Sequence, residues 1–123
     1  MVKYPDFLRH IVNPKLAEYL KKRRSLLSAV DEIRRFIVEA EVKYGFSVFN
    51  GNPENLKNYL QSKDFTLLIS LFKTSNSLDI LEEILSEVLD KYSDLPGVAD
   101  AVKETLEAVR ASRTKAEEGE GEA

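Results

Sequence analysis

A chain of 123 residues, 43% hydrophobic and 32% charged, with a net charge of −3, fits one domain with one modest core. Its longest apolar runs, Leu67-Leu68-Ile69 among them, are far too short for a membrane-spanning helix. The absence of cysteine removes disulfides, thiolate metal sites and cysteine nucleophiles.

The start Met-Val-Lys-Tyr-Pro-Asp lacks the apolar stretch of a secretory signal, so a cytoplasmic location is expected. One methionine, one glutamine, no tryptophan and abundant Lys and Glu form a composition seen in heat-adapted proteins. Charge is divided along the chain. Residues 1–45 carry ten Lys or Arg against six Asp or Glu, and residues 46–123 carry eight against fifteen, so a basic front can attract an acidic back within one chain or between two.

In chain order, Phe7-Leu8-Arg9-His10-Ile11-Val12 predicts a short helical arm within residues 1–13, ended by Asn13-Pro14. Asn13 as cap and Pro14 at the first helical position predict a new helix. Leu16, Tyr19, Arg23, Leu26, Val30, Ile33, Ile37, Ala40 and Tyr44 then follow at three-four spacing until Gly45, a heptad seam of about four repeats. Unbroken, this helix spans roughly 46 Å at 1.5 Å per residue, more than a compact domain of this size is wide. An elongated bundle, pairing with a second copy, or a break near Ser25 would each accommodate it, and an unbroken helix is expected. Arg23 interrupts the apolar seam and is expected to emerge at its edge or to meet Glu41 or another carboxylate across an antiparallel pair.

Phe46-Ser47-Val48-Phe49 with Asn50-Gly51 resembles half a hairpin, but Asn52-Pro53 stands where the second strand should begin, so a loop is expected. Asn52 should cap a helix from Pro53 to about Ser62, and Asp64 one from Phe65 to Lys73. Phe65–Phe72 is apolar nearly all round and is compatible with a buried strand. With no partner strand in view it reads as a central buried helix. Leu78, Leu81, Ile84, Leu85, Val88, Leu89 and Tyr92 mark an amphipathic helix, and Val98, Val102, Leu106 and Val109 mark a last one that fades near Arg113. The Glu- and Gly-rich end, 114–123, holds no large apolar side chain and is expected to be disordered. The expected fold is all-α: one bundle of four to five main helices over residues 1–113, led by a long heptad helix.

Catalytic chemistry finds little footing. His10 is the only histidine, and neither a glycine-rich phosphate loop nor a cluster of metal ligands is present in the sequence. His10 is expected to have a packing or surface role, and Tyr19, Tyr44, Tyr59 and Tyr92 to bury their rings with wet hydroxyls. Asp79, Glu83, Glu87 and Asp90 line one face of a helix, but carboxylates on one helix diverge, so a solvated acidic face is expected in place of a cation site. No catalytic residue, cofactor or metal is predicted.

Two partner readings remain. Leu16, Tyr19, Arg23, Leu26, Val30, Ile33 and Ile37 form a candidate self-association seam, for a homodimer or another protein. Lys21, Lys22, Arg24 and Arg35 form a candidate nucleic-acid patch. The four-residue pairs Glu18–Lys22, Asp31–Arg35 and Glu39–Lys43 should neutralise much of the surface around it. The leading expectation is therefore a non-enzymatic interaction module, with a nucleic-acid-associated factor as the alternative.

Overall fold

The computed structural model describes residues 4–47 and 51–122, with side chains through Thr114, and every regular element among them is helical. A π-helical segment, Phe7–Val12, runs directly into α1 (Asn13–Leu20), and α2 (Arg24–Tyr44) follows a short turn. A 3-10 turn, Pro53–Asn55, leads into α3 (Leu56–Leu60), then come α4 (Lys63–Thr74), α5 (Leu78–Lys91) and α6 (Pro96–Glu122). Among the described residues six α-helices thus replace the expected four to five. None of the described helices is long and apolar enough to cross a membrane.

The N-terminal arm is core, since Phe7, Leu8, Ile11 and Val12 are buried. Asn13 does not cap α1 with its side chain; it has helical angles, and its Oδ1 accepts from Arg34 Nε at 3.0 Å. Asp6 is the cap, accepting the Arg9 amide at 3.1 Å. The wide π turn lies immediately before Pro14, where the ring would crowd the carbonyl four residues earlier in an ordinary helix.

The long helix is broken. Lys21 and Lys22 form a turn, and Arg23 is extended (φ −131°, ψ 106°) ahead of α2. Two forces favour the break. A 46 Å rod would overrun the bundle, and the extended Arg23 turns its guanidinium across to α5, binding both Asp79 oxygens at 2.7 and 2.5 Å and the Asn76 carbonyl at 3.3 Å. Arg23 therefore meets Asp79 and not Glu41. Nearby, Tyr19 donates to Glu83 at 2.6 Å, and Lys15 also pairs with Glu83. Tyr92 donates to the Pro5 carbonyl, so the π segment and α1 run antiparallel along α5. The acidic face of α5 is accordingly a latch rather than a solvated surface at Asp79 and Glu83.

At its far end α2 stops at Gly45, whose φ of +66° suits a residue without a side chain. Asn55 Nδ2 and the Asn52 amide both donate to the Gly45 carbonyl, closing the loop. The half-hairpin expectation at Val48, Phe49 and Asn50 lies outside the described residues. Asn52 accepts the Glu54 amide as expected, although the first turn is 3-10. α4 is capped by Ser62, which accepts the Phe65 amide. Asp64 lies inside the first turn, where it takes Lys43 and Tyr44 from the end of α2. Phe65, Leu68 and Phe72 are buried while Thr66, Leu67 and Ser70 are exposed, so the apolar stretch is a helix with one wet face.

α5 and α6 pack as an antiparallel pair, with Val98, Val102, Leu106 and Val109 buried and Glu82 bound by Arg110 and Arg113. The backbone of α6 is helical through Glu122, past the expected fade near Arg113 and over the stretch expected to be disordered; the side chains beyond Thr114 are outside the described set.

Candidate functional site

α2 has two apolar faces, and their fates differ. Leu26, Ile33 and Ile37 are fully enclosed, and Val30 and Ala40 nearly so. Leu16 is equally enclosed on α1, and Tyr19 is packed half-buried against the core. The predicted self-association seam is therefore covered by the protein's own helices, and Arg23 is spent on Asp79. This corrects the reading of that seam as a surface left for a partner. A heptad pattern marks which face is buried, and here the bundle itself buries it.

What remains uncovered lies to one side. Leu27 is 59% exposed, Val38 47% and Val42 84%. At 100° per residue these three fall within about 60° of arc, so they share one side of α2, with Leu27 about 16 Å along the helix from Val38 and exposed Asp31 between them. Leu67 on α4 is 51% exposed. Arg24, Asp31 and Arg35 are exposed, and Arg34 and Glu41 half-buried, on or beside the same strip. Among the described residues, Arg24, Asp31 and Arg35 make no ion pair. The expected pairs Glu18–Lys22, Asp31–Arg35 and Glu39–Lys43 do not form there: Glu18 takes Lys15 and Lys43 takes Asp64. The apolar sector escaped sequence reading because Leu27, Val38 and Val42 are too few to form a pattern of their own. The signal was present as large apolar residues off the assigned core seam.

The proposed nucleic-acid patch is only partly assembled. Lys21, Lys22 and Arg24 are exposed together at the corner made by the helix break. Arg35 stands about 16 Å further along α2 by helical rise, with exposed Asp31 between.

The groups that catalysis would use have structural work. His10 Nδ1 accepts the Asp6 amide at 2.8 Å. Tyr59 is fully buried, stacked on Phe46 and edge-on to Phe65, and burial raises its phenol above the ordinary range. The Arg23 guanidinium holds Asp79 below the usual carboxylate range, and the Lys43 and Tyr44 hydrogen bonds do the same to Asp64. Glu41 shifts the other way, to about 6, because it is partly buried and faces the Asp6 carboxylate, with Arg9 opposing the shift. No group of three His, Cys, Asp or Glu suited to a metal occurs among the described residues. The groove along α2 and α4 at Phe36, Ala40, Lys43 and Asp64, about 120 Å³, is smaller than small-molecule sites usually are.

No protein-family model, curated protein or solved structure matches this chain.

Proposed function

We propose that the protein is a non-catalytic interaction module that associates with itself through the outer face of α2. What carries the reading is the sector of Leu27, Val38 and Val42, three large apolar side chains on one side of a helix whose opposite face already fills the core. Covering exposed apolar side chains on association lowers the free energy of the molecule in water. The latches from Arg23, Tyr19 and Lys15 to α5 hold α2 in place, so docking orders little new chain.

A second reading has one observation in its favour, the cluster of Lys21, Lys22 and Arg24 at an exposed corner, which suits phosphate contacts. Size-exclusion chromatography with light scattering, run with and without a mixed DNA and RNA fragment, separates the two. A dimer that ignores nucleic acid is the expected result. A monomer that moves onto nucleic acid only at low salt would replace the proposal with the second reading.

A further inference from the structure

Six positions of α2, Arg24, Leu27, Asp31, Arg34, Val38 and Glu41, follow one another at alternating three- and four-residue spacing. This is the spacing of a helix-pairing stripe, and it runs beside the buried one. Read forwards, the stripe is cation, apolar, anion, cation, apolar, anion. Read backwards, it is the charge complement of itself. We propose that α2 packs antiparallel against α2 of a second copy about a twofold axis level with Glu32 and Ile33. Arg24 then meets the partner's Glu41, Leu27 the partner's Val38, and Asp31 the partner's Arg34. This rests on the self-association reading above and adds its orientation and register.

Three observations carry it. The two apolar positions of the stripe are the exposed Leu27 and Val38, and antiparallel packing sets each against the other's counterpart. A parallel pair in register would set Arg24 on Arg24 and Asp31 on Asp31, and like charges in contact disfavour a partner. The charges at Arg24, Asp31 and Arg34 are also available. Arg24 and Asp31 are exposed and have no ion pair among the described residues, and Arg34 bonds Asn13 through Nε, which leaves the two terminal nitrogens of its guanidinium fork. Glu41 is half-buried with its Oε1 enclosed, so it lies at the covered edge of the stripe. The twofold makes the contact self-limiting, since one copy's stripe is used up by the other's.

The absence of cysteine from the chain makes the register directly testable. Leu27→Cys and Val38→Cys are exposed substitutions, prepared as separate proteins, mixed and mildly oxidised. The proposed register brings position 27 opposite position 38, within the few ångströms a disulfide needs. Identical positions are offset along the helix by about 16 Å. The expected result is a crosslinked heterodimer from the mixture, at least tenfold more abundant than any homodimer, and none from either variant alone. Asp31→Lys, placed against the partner's Arg34 in both copies, should weaken dimerisation at least tenfold. Homodimeric crosslinks, or no crosslink in a protein that light scattering shows to be a dimer, would overturn the register and leave self-association standing. A wild-type protein that is monomeric at every concentration would overturn both.

Discussion

Glu41 ties the N-terminal segment to α2 through an unfavourable charge. Its carboxyl has an ordinary value of 4.5 and is raised to about 6 in the fold by burial and by Asp6, with Arg9 pulling the other way. A raised folded value means the protonated form fits the fold better. Its contribution to stability is therefore complete below about pH 4.5 and is lost as pH rises through about 6. Glu41→Gln should raise the melting temperature by about 3 °C at pH 7.5 and change it little at pH 4.5, in melts run at low protein concentration. Equal effects at the two pH values would contradict this assignment. Arg23 acts with the opposite sign. It serves a carboxylate held low by its guanidinium, so Arg23→Ala should cost about 1 kcal/mol in urea unfolding at pH 7, and the loss should shrink as Asp79 is protonated in acid.

At the scale of the element, two neighbours on α2 give the sharpest contrast. Leu26 is enclosed and Leu27 is 59% exposed. Leu26→Ala should cost about 3 kcal/mol, whereas Leu27→Ala should stay within about 0.5 kcal/mol in the monomer. Chemical denaturation of the two variants measures both. This contrast also marks what was legible in the chain. Three-four spacing correctly assigned Leu26, Val30, Ile33, Ile37, Val98, Val102 and Leu106 to buried faces, because burial follows helical period whatever the tertiary arrangement. A break near Ser25 stood among the ways to accommodate the length, but the spacing did not select it over an unbroken helix, since the extended Arg23 depends on Asp79 lying across the bundle, 56 positions away. Asp64 looked like a cap and became a partner of Lys43 and Tyr44, while Ser62 took the amide. The periodicity also left undecided whether the seam faced the molecule's own core or a neighbour. Sequence period identifies an apolar face, and only the packing says what covers it.

At the scale of the whole molecule, the bundle completes its core with α1 and α2 latched onto α5 and α4, and Leu27, Val38 and Val42 remain exposed on the outer side of α2. The stripe there has only two apolar positions per copy, so a dimer built on it should be weak, with a dissociation constant on the order of micromolar or higher. Its charged layers should make it weaker still at 1 M salt than at 0.1 M. The most direct test of the central claim is sedimentation equilibrium over a hundredfold concentration range, comparing the wild type with Leu27→Ser/Val38→Ser/Val42→Ser. A wild type that shifts from monomer towards dimer, beside a variant equally stable to heat at low concentration but monomeric throughout, is expected. A wild type that stays monomeric, or a variant that associates as well as the wild type, would contradict it.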